Sequence, residues 1–222
     1  MTTDLSSIVP LPAAFADNAF APLAGEASLA RVARTMGGAA VIAVAEPLAD
    51  AVRETVAAQG LSRVGVAVAE SPGSRAQCLS AGLRYLDRKP RRVMIHDIRR
   101  PLAPEVLRDR VIAALDAGSA VVMPVLAVTD SVKAVDVRGA VIGTLDRSTL
   151  QAVQYPRGFA VDQLTDLLAG RTSDDFDELE ESLRAGMPIT FVDGDPNAFV
   201  VELPRDTAFV EAVIACRHPV DG

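Results

Sequence analysis

Short apolar runs rich in β-branched residues alternate along this chain with longer stretches in which Leu, Val and Ala recur at three- and four-residue spacing. The short runs, at residues 8–11, 40–45, 64–68, 93–96 and 120–125, are predicted strands, and the stretches at 28–36, 48–59, 74–86 and 104–117 are predicted helices. Strands and helices taking turns in this way build βαβ units, so an α/β fold with a mostly parallel central sheet flanked by helices is expected. Pro104 and Glu105 suit a first helical turn and Gly118 suits its C-terminal cap. After Val125 the rhythm changes. Apolar and polar residues alternate over about 129–156 around the turn signal Val137-Arg138-Gly139, which predicts an extended antiparallel β-arm. Helices are then predicted at 161–168 and 174–185, a strand pair at 189–192 and 199–202, and a last helix from 204 to about 216. No repeat, low-complexity tract or linker divides the chain, so residues 1–222 read as one domain that includes the arm.

Half of the residues are hydrophobic and 23% are charged, enough apolar surface to build a core. No apolar run reaches the roughly 18 residues that cross a bilayer. The opening MTTDLSSIVPLP lacks a basic segment followed by an apolar one, so a cytoplasmic protein with no membrane partner is expected. A net charge of −7 leaves no overall basic field for a nucleic-acid backbone, and the absence of Trp removes the best stacking surface for single strands. A small molecule or another protein is the expected partner. Cys78 and Cys216 show no metal-ligand spacing and read as reduced packing residues.

Ligands of open α/β sheets gather beyond the carboxyl ends of the strands, which directs attention to His96-Asp97-Ile98-Arg99-Arg100-Pro101, just after the strand at 93–96. An acid and two guanidiniums there can hold a metal–phosphate group and its counter-charge, or can form a self-paired charge cluster; both readings stay open. His96 and His218 are lone histidines, the first read as a satisfied structural residue and the second as exposed. The acidic run from Asp174 to Glu178 opens a predicted helix, where capping is favoured over metal binding.

The segments HDIRRPLAP, PVLAVTDSVKAVD, GTLDRSTLQAVQYPRGF, SDDFDELEESL and VDGDPNAFVV resemble, in order and spacing, the blocks of the 2-C-methyl-D-erythritol 4-phosphate cytidylyltransferases over roughly residues 60–215. The resemblance implies a nucleotide-diphospho-sugar transferase type of fold and a homodimer joined through the arm. It also implies transfer of a cytidylyl unit from CTP to methylerythritol phosphate with release of pyrophosphate, a step of non-mevalonate isoprenoid biosynthesis, with Mg2+ if the chain is active. By the same resemblance Asp97 and Arg100 take catalytic positions; Ser131, Lys133, Arg147 and Ser173 take substrate positions, Arg147 acting across the dimer; and Gly73, Ser74 and Arg75 take nucleotide positions. The metal ligands are not specified. Tyr155 and Arg157 depart from the family's threonine and glutamine, and Cys78 stands where a serine is expected.

The first thirty residues depart further. Where the family's glycine-rich loop with its arginine and lysine would follow the first strand, this chain has Leu11-Pro12-Ala13-Ala14-Phe15-Ala16-Asp17-Asn18-Ala19-Phe20. Its first glycine is Gly25 and its first arginine Arg31; Asn18 takes the loop lysine's place and Val200 that of a late lysine. Losing one charge-stabilising donor typically costs about 10²–10³ in rate. Binding of a nucleoside triphosphate is therefore expected to be weak or absent unless another cation compensates, with Arg91, Arg92, Arg99 and Arg100 as candidates. Two functions remain: a cytidylyltransferase-like enzyme of impaired or altered activity, and a non-catalytic paralogue that keeps a phosphorylated ligand or a dimeric interaction.

Overall fold

In the computed structural model, which describes residues 4–37, 40–86, 90–174 and 176–217, the alternation of strand and helix is realised as a three-layer α/β architecture. The first half contributes the parallel strands β1 (Leu5–Leu11), with a short helix α1 (Ala16–Phe20) and the two-residue strands β2 (Pro22–Leu23) and β3 (Glu26–Ala27) after it. Helix α2 (Ser28–Met36) leads to β4 (Ala40–Ala45), α3 (Ala49–Ala58) to β5 (Val64–Ala69), and α4 (Arg75–Tyr85) to β6 (Arg92–Ile95). Helix α5 (Glu105–Asp116) then precedes β7 (Val121–Ala127).

The arm is β8 (Val132–Val135) and β9 (Val141–Leu145), an antiparallel hairpin whose turn is closed by Asp136 accepting from the backbone N–H groups of Arg138 and Ala140. The chain returns through β10 (Gln151–Val153), β11 (Arg157–Ala160), α6 (Val161–Gly170), α7 (Glu178–Arg184), β12 (Thr190–Asp193) and α8 (Thr207–Arg217). The main sheet runs β10-β7-β11-β6-β1-β4-β5, with β12 also on β7. The β6-β1-β4-β5 half and the β12–β7 pair are parallel, whereas β10 and β11 run antiparallel to their neighbours. One sheet face buries Ile8, Val93, Ile95 and Phe159 against Leu79 of α4 and Leu164 and Leu168 of α6. The other packs Val9, Ile42 and Met94 against Leu29 and Val32 of α2, Val52 of α3 and Val111 of α5. A third apolar cluster joins Leu23, Leu102 and Val201 to Val210 and Ile214 of α8.

Four expectations change. Strand β11, unforeseen, fills the gap between β6 and β7; Gly158 is needed there because a Cβ would meet Leu115 at 2.8 Å. Residues 199–202 are not a strand. Their backbone is satisfied piecemeal, Val201 N–H donating to the Arg99 carbonyl at 2.9 Å and Glu202 N–H to the Asp206 carboxylate at 2.8 Å. Helix α7 starts at Glu178, because Asp177 adopts extended backbone and caps it, accepting from the N–H groups of Leu179 and Glu180. Cys78 is buried, but Cys216 is exposed, since α8 turns Val210 and Ile214 inward and Cys216 lies off that face. His218 lies outside the described residues, as does Asp175.

Candidate active site

Strand β6 ends in the sheet interior next to β1, and His96 N–H extends the ladder by donating to the Ile8 carbonyl. The chain then turns, Arg100 N–H donating to the Asp97 carbonyl at 3.0 Å, so Asp97, Arg99 and Arg100 are presented at the strand's carboxyl end. Asp97 is 2% exposed and held by Arg99 in a fork: Nε to Oδ1 at 3.1 Å, a terminal nitrogen to Oδ2 at 2.7 Å, and the Arg99 backbone N–H to Oδ1 at 2.9 Å. Burial alone would push this carboxyl up; the Arg99 hydrogen bonds and the positive charges of Arg75 and Arg99 outweigh it and bring it down to about 2. Asp97 is thus a firm anion. The guanidinium of Arg99 in turn lies 4.7 Å from the ring centre of Phe15, in the segment between β1 and α1.

A second knot forms beside this pair. Tyr155, buried where the chain enters β11, has the guanidiniums of Arg157, Arg75 and Arg100 at 4.1, 5.4 and 5.6 Å from its ring centre. Glu178, the fully buried first residue of α7, accepts from Arg75 at 2.7 Å, from the Tyr155 hydroxyl at 2.7 Å and from Arg157 at 2.7 Å; Arg157 also reaches Asp177 at 3.1 Å. Burial disfavours both charged arginines, yet Glu178 beside Arg75, and Tyr155 with Glu178 beside Arg157, raise both above the ordinary value. Arg100 differs. It donates to the carbonyls of Ala198 and Val153 and no carboxylate pairs with it among the described residues, so burial lowers its pKa.

Gly73, Ser74 and Arg75 form the start of α4 and are brought together structurally. Gly73 sits at φ +76° with a Cβ-free approach to Ala45, Ser74 and Gln77 form a reciprocal capping box, and Arg75 is spent on Glu178 and Tyr155. Asp97, Arg100 and Arg75 therefore converge. Ser131, Lys133 and Arg147 do not: they stand on the exposed arm, where Lys133 donates to Thr144 Oγ1 at 2.8 Å and Arg147 to the Thr129 carbonyl, with no described bond to the Asp97 cluster. Ser173 is exposed in the loop before α7. His96, expected to be satisfied, is fully buried with neither ring nitrogen bonded to a described group, and burial drives it down to about 4 against the opposing pull of Asp97. Tyr155, Arg157 and Glu178 were not singled out from sequence as site residues. The departure of Tyr155 and Arg157 from the family block was the available signal, whereas Glu178 looked like one more acid of a helix cap.

A largely parallel sheet with charged groups at its carboxyl ends, interrupted by a hairpin arm, defines the nucleotidyltransferase type of α/β protein. The family model described as 2-C-methyl-D-erythritol 4-phosphate cytidylyltransferase matches residues 16–216. The chain belongs to that family. It is 35% identical over 204 residues to the 2-C-methyl-D-erythritol 4-phosphate cytidylyltransferase of Saccharopolyspora erythraea, covering 89% of this chain and 90% of that one. It is 36% identical over 143 residues to a bifunctional enzyme of Rhizobium leguminosarum, which covers 62% of this chain but only 35% of the longer relative. Among solved structures, the 4-diphosphocytidyl-2C-methyl-D-erythritol synthase of Anaerococcus prevotii superposes with a TM-score of 0.78 at 18% identity, covering 95% of each chain. Among the described residues no helix is long and apolar enough to cross a membrane.

Proposed function

We propose that this protein transfers a cytidylyl group from CTP to 2-C-methyl-D-erythritol 4-phosphate, and does so slowly. The observation that carries the reading is the intact pair at the end of β6, an ionised Asp97 with Arg100 three residues on, the guanidinium there with which no carboxylate among the described residues pairs. In the reaction a phosphate oxygen of the acceptor attacks the α-phosphorus of CTP; that P–O bond forms as the bond to the β-phosphate breaks, and pyrophosphate leaves with the electron pair. Arg100 would hold an acceptor phosphate oxygen, because a half-buried cation bonded only to carbonyls gains most from an anion. Ser131, Lys133 and Arg147 would complete the acceptor site, with Ser173 near it, in a homodimer in which each arm reaches the other subunit. Exposure of Val135, Val137, Val141, Ile142 and Leu145 on the arm supports that assembly, since an isolated hairpin with such a face is marginal in water. The nucleotide would lie over Gly73, Ser74 and Arg75.

Magnesium, arriving with the triphosphate, would neutralise its charge. The described residues do not make a resident site for it: no group of three acids, histidines or cysteines converges, and both oxygens of Asp97 are engaged by Arg99. The slow rate follows from α1. Residues 16–20, near where the family's cationic loop would lie, are helical instead, and Asn18 is turned inward, donating to the Val201 carbonyl at 3.0 Å. Cytoplasmic action is part of the same reading, as CTP is supplied there. Calorimetric titration tests it: methylerythritol phosphate should bind with a dissociation constant of about 1 μM–1 mM, the usual substrate range, and CTP with magnesium more weakly. Absence of any acceptor binding to the folded protein would overturn the proposal.

A further inference from the structure

We propose that Arg99 is the triphosphate-binding cation of this chain, delivered from the loop after β6 in place of a phosphate loop after β1. The proposal rests on the nucleotidyltransferase reading above. Four guanidiniums stand at the strand ends, and three are taken up elsewhere, Arg75 and Arg157 by Glu178 and Arg100 by the acceptor phosphate assigned to it above. Arg75 and Arg157 are locked to Glu178, which is fully buried, and Arg100 is anchored to two carbonyls beneath Tyr155. The side chain of Arg99 is 35% exposed. Its side-chain hydrogen bonds to Asp97 use Nε and one terminal nitrogen, so of the five N–H donors of a guanidinium three lack a described partner.

Its position fits the task. Phe15, in the segment that follows β1, covers one face of this guanidinium at 4.7 Å, so the charge sits against the stretch of chain that has no cation before Arg31. The backbone of Arg99 is fixed at both ends, its N–H on Asp97 Oδ1 at 2.9 Å and its carbonyl accepting from Val201 N–H at 2.9 Å, which leaves only the side chain free to exchange partners. A phosphate presents the same two-oxygen edge as a carboxylate and takes the guanidinium fork in the same bidentate way. Asp97 is therefore a placeholder for a phosphate: polyphosphate binding draws Arg99 off Asp97 and frees that carboxylate at the moment the nucleotide arrives.

This exchange predicts an effect that a purely structural Arg99 does not. Binding of inorganic tripolyphosphate to the intact protein, measured by calorimetry without metal, should weaken about 10- to 100-fold in Arg99→Ala, the usual scale for a charge-assisted hydrogen bond. In Asp97→Asn it should tighten about 5- to 10-fold, because the competitor is gone, and the double variant should lose that gain. Arg99→Gln serves if the alanine variant does not fold. Unchanged affinity in the Arg99 variants, or weaker binding in Asp97→Asn, would overturn the inference. Turnover of CTP separates the two claims: Arg99-dependent tripolyphosphate binding without turnover leaves this inference standing and removes the function, while turnover with a CTP KM indifferent to Arg99 does the reverse.

Discussion

Around Tyr155, Arg75, Arg157, the tyrosine hydroxyl and Glu178 are packed largely out of water and answer one another, whereas on the arm Lys133 and Arg147 stand in solvent beside exposed valines and meet only a hydroxyl and a carbonyl. The same residue types thus serve opposite ends. In the knot, charge is consumed by the fold: breaking a buried pair leaves an uncompensated ion, which is costly, so these residues hold β11 and α7 to the start of α4. On the arm, charge and apolar surface remain exposed and available to the partner subunit proposed above. Arg99 stands between the two conditions, paired but partly exposed, which is why it is the group to test as an exchanging one.

The comparison breaks most visibly at Glu178. Glu178→Gln leaves Arg75 and Arg157 without their buried counter-charge and should destabilise the protein by about 3–5 kcal/mol in chemical unfolding, while Lys133→Ala and Arg147→Ala should stay within about 0.5 kcal/mol of the parent, as surface changes do. Equal effects at the two places would remove the distinction.

The next effect is on pH dependence. His96 is driven from 6.5 to about 4 by burial, with Asp97 beside it opposing and Arg100 reinforcing the shift. An unfolded His96 takes up a proton near pH 6.5 while the folded one refuses it, so stability is full above that pH and falls as pH drops from about 6.5 to 4, by about 3 kcal/mol at 1.36 kcal/mol per unit. Asp97, lowered to about 2 from 3.8, adds a further loss only between those two values. Unfolding curves from pH 7 to 4 should show the first slope, and His96→Leu should flatten it; an unchanged slope in that variant would assign the acid sensitivity elsewhere.

A smaller effect on stability, but a large one on assembly, is expected from Ile142→Asp on the arm, where the residue is 69% exposed. The variant should keep the parent's folded circular-dichroism spectrum yet sediment as a monomer at micromolar concentration, losing only the part of the melting temperature that assembly adds. A parent that is itself monomeric would contradict the arm's role.

Much of this was legible in the sequence because it is local. The strand cores at 40–45, 64–68 and 93–96 and the helices between them follow from apolar spacing within one element. Strand β11 escaped because four residues that include Arg157 and Gly158 show no period, and residues 199–202 misled because Val201 is buried by a loop that covers α8 rather than by a ladder. At the site, Asp97 and Arg100 could be named from one contiguous block. Glu178 could not: its partner Arg75 is 103 residues away, and only the fold places α7 against α4.

Pyrophosphate release from CTP and methylerythritol phosphate, followed with the purified protein in magnesium, tests the central claim most directly. The account predicts release that requires both substrates, a kcat/KM below the ~10⁴–10⁸ M⁻¹s⁻¹ typical of enzymes, and a further fall of at least about 10²-fold in Asp97→Asn. Folded, dimeric protein that releases no pyrophosphate, or release indifferent to Asp97, would contradict it.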